Sequence, residues 1–186
     1  MRIISGIYGG RRIDTGKKFK ARPTTDMAKE SLFNILQNRI DLQEIKVLDL
    51  FSGTGSISYE FASRGCTDIT SVESNYQHYL VIKETIKVLG EKHIKCIKGD
   101  AFAFIKKTSD HFDLIFADPP YDLSDFEKIP GLILGCRLLE DNGLLIMEHP
   151  ENYNFSDFPE FTEERSYGKV HFSFFRNKAT KQYQSS

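Results

Sequence analysis

Apolar positions along this chain switch repeatedly between two periods, and the switching predicts most of the elements. Ala28, Leu32, Ile35, Leu36 and Ile40 recur at helical spacing behind Thr24, Thr25 and Asp26, whose short polar side chains cap helix starts, so a first helix is expected to about Ile40. From Lys46 onward short apolar runs alternate with helical patterns. Val47 to Phe51 reads as a strand, and Gly53-Thr54-Gly55 leads into a helix that Gly65 can end. Ile69 to Glu73 is a second strand, followed by a helix from about Asn75 to Leu89 with Gly90 at its end. Ile94 to Ile97 is a weaker third strand and Phe112 to Ala117 a fourth; Phe126 to Leu139 is expected to be mostly helical after Pro130, and Leu144 to Glu148 is the fifth strand.

Strands joined by crossover helices make a parallel sheet covered on both faces, because a right-handed crossover packs each helix back onto the sheet. The end of the chain departs from this. Phe161 to Tyr167 and Lys169 to Arg176 flank Gly168, and Val170, Phe172 and Phe174 alternate, which predicts a terminal antiparallel hairpin. The expected class is therefore α/β, a mostly parallel seven-stranded sheet ending in a hairpin. The first segment, Ser5 to Lys20, has no sustained periodicity and reads as an extended arm or loose hairpin closed by Pro23. These boundaries divide the chain into an arm over 1–25, a core domain over 26–178 and a tail over 179–186 expected to be disordered.

Composition narrows the class little but excludes several others. With 186 residues, 40% hydrophobic and 27% charged, the chain has room for one well-buried domain and one active site. No apolar run is long enough to span a bilayer and no secretory leader is visible, so a cytoplasmic protein without membrane contact is expected. Cys66, Cys96 and Cys136 are odd in number and widely spaced, hence read as free thiols, and the five histidines lack metal-ligand spacing, so metal-free chemistry is expected.

Charge distribution is more telling than its sum. The formal net charge is −1, yet residues 1–22 hold Arg2, Arg11, Arg12, Lys17, Lys18, Lys20 and Arg22 against Asp14 alone, which leaves −7 on the remainder. Positive charge gathered in one place is the footprint of a phosphate-binding surface, so these seven residues are the candidate nucleic-acid contacts.

Candidate chemistry lies at the ends of the predicted strands, where open α/β sheets bind ligands. Asp49-Leu50-Phe51-Ser52-Gly53-Thr54-Gly55 closes the first strand; its glycines permit close backbone approach and the next helix start favours an anionic group. Ser58 stands where a dinucleotide fingerprint requires its third glycine, and no Gly-Lys-Ser/Thr follows, so neither nicotinamide nor phosphoryl-transfer chemistry is supported. Glu73 ends the second strand about 20 residues later, placed to accept ribose hydroxyls. Asp100 follows the third strand and can accept from an adenine amine, with Ala101 or Phe102 against the ring.

Three acids, one before the glycines and one after each of the next two strands, resemble with the glycine loop the S-adenosylmethionine site of class I methyltransferases, and a parallel sheet ending in a hairpin is similar to their Rossmann-like core. The residues that carry the site resemblance are Asp49, Phe51, Gly53, Gly55, Glu73, Asp100 and Ala101. Asp118-Pro119-Pro120-Tyr121, directly after the fourth strand, resembles the Asp/Asn-Pro-Pro-Tyr/Phe motif of enzymes that methylate amino groups of adenine, cytosine, guanine or protein glutamine. An exocyclic amine is a weak nucleophile because its lone pair is delocalised. Asp118 and the Pro119 carbonyl can accept its two N–H bonds and localise that pair, while Pro120 adds no competing N–H and Tyr121 offers a face for an extruded base.

The combination extends further. Arg22-Pro23-Thr24-Thr25-Asp26 and Lys29-Glu30-Ser31-Leu32-Phe33-Asn34-Ile35-Leu36 resemble the N-terminal signature of bacterial 16S ribosomal RNA guanine-N2 methyltransferases, and the likeness runs from Arg2-Ile3-Ile4-Ser5-Gly6 to Tyr167-Gly168-Lys169-Val170. It implies methyl transfer from S-adenosylmethionine to guanine N2 of 16S rRNA in a small ribosomal particle, by a monomer. At this stage an amino-methyltransferase acting on DNA adenine or a protein amide remains open, as does a non-catalytic RNA-binding assembly factor that keeps the fold.

Overall fold

The computed structural model describes residues 1–14 and 25–177. Lys17, Lys18, Lys20, Arg22 and Thr24, and the tail expected over 179–186, lie outside the described residues. Helix α1 (Asp26–Gln37) starts where Thr25 caps it, its side chain accepting from the Ala28 N–H. The chain then alternates β1 (Lys46–Leu50), α2 (Ser56–Ser63), β2 (Asp68–Glu73), α3 (Tyr76–Leu89), β3 (Ile94–Lys98), α4 (Ala101–Lys107) and β4 (Phe112–Ala117). A 3₁₀ turn at Phe126–Lys128 leads into α5 (Ile129–Gly135), then β5 (Leu139–His149), β6 (Phe161–Tyr167) and β7 (Val170–Arg176).

The sheet order is β3-β2-β1-β4-β5-β7-β6, parallel from β3 to β5 and antiparallel for the last two strands. Both faces of the central strands are buried, which is why they read as continuous apolar runs. Val47, Leu114, Phe116 and Ile146 pack with α1 and α2 on one face. Leu48, Ile115, Leu145 and Met147 pack with α4 and α5 on the other. Alternate residues of each strand thus serve two separate cores.

Three sequence expectations are corrected. The helix expected to reach Leu139 stops at Gly135, and β5 begins at Leu139 rather than Leu144. Arg137 and Asn142 take left-handed backbone there, with φ of 54° and 63°, and a register shift against β4 falls between Phe112 and Leu114. Such a bulged entry has no apolar signature. Helix α4 was not expected at all: Ala-Phe-Ala-Phe alternates like a strand, yet Asp100 caps it by accepting from the Ala103 N–H.

Of the two forms expected for the first segment, an extended arm or a loose hairpin, the described residues 1–14 take the hairpin, and it is docked on the helices. Arg2 bridges Arg12, the Ile3 N–H donates to the Arg11 carbonyl, and the Ile3 side chain is buried with α1. Gly6, at φ 82°, lies so close to α2 that a Cβ there would meet the Ser63 carbonyl oxygen at 1.8 Å. The Ile7 N–H donates to that same oxygen and the Tyr8 hydroxyl to Glu91. Beneath the hairpin, the buried Lys29 ammonium donates to the Arg2 carbonyl at 2.6 Å and to Ser56, and pairs with buried Glu60 at 3.3 Å. Glu60 also takes the Ile4 N–H and faces Arg64. Polar tethers of this kind leave no periodicity in a sequence.

Candidate active site

The turn after β1 is built to bring backbone to a ligand. Phe51 has a positive φ of 59°, unusual for a side-chain-bearing residue, and is held by its edge-on contact with Phe102 at 5.6 Å. The Ser52 hydroxyl donates into the carbonyls at the ends of β1 and β2 (Asp49 and Val72) and receives the Ser71 hydroxyl at 2.8 Å. Gly55 is left-handed at φ 84°, and a Cβ there would stand 2.7 Å from the Tyr59 ring. A Cβ on Gly53, by contrast, would meet nothing within 4 Å, so this stretch of backbone borders open space.

The acids around that space have different tasks. Glu73 is nearly buried at the end of β2, and its carboxylate accepts the Gly53 N–H at 2.7 Å and the Asn75 N–H at 2.6 Å. Fixed from two sides, it keeps lone pairs for the paired hydroxyls of a ribose. Asp49 sits behind the loop: fully buried, it accepts both the N–H and the hydroxyl of Ser58 and so holds the start of α2. Burial pushes its carboxyl up to about 7 despite those two bonds. Asp100 is exposed and gives one oxygen to the α4 cap; among the described residues nothing takes the other. Ala101, the first residue of α4, is buried in the core cluster that also holds Val72 and Ile115. An open glycine backbone, a fixed ribose-facing carboxylate and a half-committed Asp100 suit an adenosine-bearing ligand.

Asp118-Pro119-Pro120-Tyr121 leaves β4 beside this cradle. The Asp118 N–H reaches the Leu50 carbonyl at 3.4 Å, so the motif and the glycine loop share one rim. Asp118 is half-buried, and desolvation together with the Glu148 and Asp49 carboxylates holds its carboxyl well above the usual range. The two proline carbonyls differ. That of Pro120 accepts the Leu123 N–H at 3.0 Å in a tight turn, whereas that of Pro119 takes no backbone bond among the described residues and can accept from a substrate. Tyr121 is 42% exposed, leans edge-on against Phe126 at 6.1 Å and donates its hydroxyl to Glu148 at 3.3 Å.

Glu148, near the end of β5, escaped the sequence analysis although the rule that singled out Glu73, an acid closing an apolar strand at the carboxyl edge, applies to it. His149 beside it is buried and structural: its ring bridges the Pro150 carbonyl and the Ser173 hydroxyl, and burial holds it below the usual imidazole range. Of the basic candidates, Arg2, Arg11 and Arg12 lie exposed on the docked hairpin; Arg2 pairs with Asp26 at 3.3 Å and Arg11 lies over Tyr8. Met1 Sδ meets the Thr54 hydroxyl at 3.7 Å, which puts the hairpin at the edge of the glycine loop.

The sheet order and this pair of loops define the fold of class I S-adenosylmethionine-dependent methyltransferases. Solved structures share it, among them the following two. That of yhhF from Escherichia coli matches with a TM-score of 0.84 over 97% of this chain and 99% of its own, at 24% identity. The Thermus thermophilus 16S rRNA N2 G1207 methyltransferase, solved with AdoMet and guanosine, matches with a TM-score of 0.68 over 86% of this chain and 45% of its own, at 17% identity. The chain belongs to the family described as conserved hypothetical protein 95, whose sequence model matches residues 1–176. It is also 28% identical over 181 residues, 95% of this chain and 92% of the relative, to a Buchnera aphidicola protein named ribosomal RNA small subunit methyltransferase D.

Proposed function

We propose that this protein transfers a methyl group from S-adenosylmethionine to the N2 amine of a guanine in 16S rRNA, acting in the cytoplasm as a monomer on a small-subunit particle. The observation that carries the reading is the shared rim: Asp118 is tied to the Leu50 carbonyl beside the glycine loop, so an amine held by the motif faces whatever the loop holds. S-adenosylmethionine supplies an electrophilic methyl on a positively charged sulfur. Glu73 and Asp100 hold its adenosine, with Phe51, Gly53, Gly55 and Ala101 around it and Asp49 bracing the loop from behind. Asp118 and the Pro119 carbonyl accept the two N–H bonds of the amine and turn its lone pair toward the methyl. As the N–C bond forms and the S–C bond breaks, the amine becomes cationic, and the proton it sheds passes to Asp118. A carboxyl raised above its ordinary range is the better acceptor for that proton. Pro120 keeps the loop rigid and Tyr121 stacks on the extruded base. Arg2, Arg11 and Arg12 on the hairpin, with Lys17, Lys18, Lys20 and Arg22, contact the RNA backbone.

The test incubates the protein and labelled S-adenosylmethionine with unmodified small subunits and with naked 16S rRNA, then digests the RNA to nucleosides. Label is expected in N2-methylguanosine, with the particle as the better substrate. No label in either RNA from protein that binds the cofactor overturns the reading and turns attention to DNA adenine and protein amides.

A further inference from the structure

We infer that the outward face of α3 is a second RNA contact: the strand flanking the extruded guanine stacks a base on Tyr76 and Tyr79 and lays its phosphates along Lys83 and Lys87. The inference rests on the function proposed above. Positions 76, 79, 83 and 87 are three or four apart, so their side chains share one face of the helix. The core takes Ile82 and Thr85 from the other side. Tyr76 is 54% exposed, and a ring left that far in water contributes little to the fold. The rings of Tyr76 and half-buried Tyr79 lie nearly parallel, at 24° with centroids 6.4 Å apart, and the Lys98 ammonium stands 6.0 Å from the centre of the Tyr76 ring. Lys83, Lys87 and Lys98 are exposed, and the one acid of α3, Glu84, lies on the flank of the stripe. Outside residues 1–22 the chain carries −7, so lysines aligned without an intervening acid stand against its average charge.

Flat faces joined to a line of cations suit a single-stranded nucleic acid, whose bases stack on rings while its phosphates follow the charges. The placement fits the same RNA strand. Glu73 and Lys98 are register partners at the ends of β2 and β3, and Tyr76 follows Glu73 by three residues, so the ring pair starts at the carboxyl edge beside the cofactor cradle. Strands β3 and β4 are three spacings apart in the sheet, about 14 Å. A strand that delivers its base to Asp118 covers that distance in about four stacked nucleotides. The other end of α3 meets the docked hairpin. Glu91, just beyond the Gly90 cap, takes the Tyr8 hydroxyl at 2.8 Å, and Arg11 lies over the Tyr8 ring. The cations of α3 therefore continue those of the hairpin, and together they make one lane from the carboxyl edge to Arg11.

The test measures KM for the RNA form that the labelling assay favours, at saturating S-adenosylmethionine so that cofactor affinity does not enter. Tyr76→Leu/Tyr79→Leu keeps apolar bulk without a flat face and should raise KM at least about fivefold, whereas Tyr76→Phe/Tyr79→Phe should stay within about twofold of wild type. In Lys83→Gln/Lys87→Gln the slope of log KM against log salt should shrink by about 1.4–1.8, since each lost phosphate contact removes about 0.7–0.9. Unchanged cofactor affinity in calorimetry establishes that the lysine variant is folded. The inference is overturned if the leucine pair matches the phenylalanine pair, or if the lysine variant keeps the wild-type salt slope. A rise in KM on particles alone, with wild-type affinity for naked 16S rRNA, would assign the face to a ribosomal protein and overturn it as well. Absence of label in guanine from wild-type protein would instead remove the proposed function, and the inference with it.

Discussion

Asp49 is a buried carboxyl group, and replacing it by asparagine should stabilise the protein in a pH-dependent way. In the folded chain its carboxyl is raised from 3.8 to about 7, chiefly by burial, with the Glu73 charge adding to the rise. Between those values the native state holds a proton that the unfolded chain has released, so stability falls as pH rises through that window and levels off above it. Two pKa values of 3.8 and about 7 make the penalty about 2 kcal/mol at pH 5 and about 4 kcal/mol at pH 8. Asparagine keeps an oxygen for the Ser58 N–H and cannot ionise. The stability advantage of Asp49→Asn over wild type should therefore widen by about 2–3 kcal/mol from pH 5 to pH 8. In a domain of this size that is about 5–10 °C in Tm. Urea denaturation of both proteins without cofactor at the two pH values reads the widening directly, and taking the difference cancels groups common to both. An advantage of the same size at both pH values would mean that Asp49 is ionised in the native state as an ordinary carboxylate, and the argument from burial would fail.

Asp118→Ala should bind S-adenosylmethionine as wild type does while kcat falls by about 10²-fold or more, and an unchanged kcat would remove Asp118 from the chemistry. Because Asp118 must be ionised to accept the proton, activity should decline on the acid side at a pH above the ordinary carboxylate range; in Glu148→Gln the decline of the residual activity should move to lower pH, since the Glu148 charge is one cause of the rise. Gly55→Ala forces a side chain into left-handed backbone and against the Tyr59 ring, and should cost about 2 kcal/mol or more in urea denaturation with a parallel loss of cofactor affinity in calorimetry. Lys29→Met leaves the buried Glu60 with Arg64 as its remaining cation and should cost about 3 kcal/mol; adding Glu60→Gln should recover part of the loss, and a larger loss in the double variant would show that the buried charge was not the cause.

Where an element has a repeating or terminal signature, it was legible in the chain. The alternation of β1 through β4 with α2 and α3, the Thr25 cap of α1 and the Gly168 turn of the last hairpin all stand within a residue or two of expectation, because capping and two-sided burial are local demands. The Asp118 motif and Glu73 were equally legible, since strand ends on the carboxyl edge follow from the parallel order. Helix α4 was hidden by an alternating Ala-Phe pattern, and the bulged start of β5 by its polar residues. The apolar character of Val-His-Phe-Ser-Phe-Phe against Phe-Thr-Glu-Glu-Arg-Ser-Tyr is consistent with β7 lying inside the sheet and β6 at its edge, though the turn alone fits either placement. The sequence by itself thus determined the class of fold and the residue types at the strand ends. Only tertiary structure decided that Asp49 turns inward to Ser58, that Glu148 stands beside Asp118, and that residues 1–14 dock on α2 through Gly6, Ser63 and the Lys29–Glu60 pair. The hydrogen bonds and ion pairs among those contacts join residues 9 to 58 positions apart, and an isolated polar contact of that kind imposes no period on the chain that carries it.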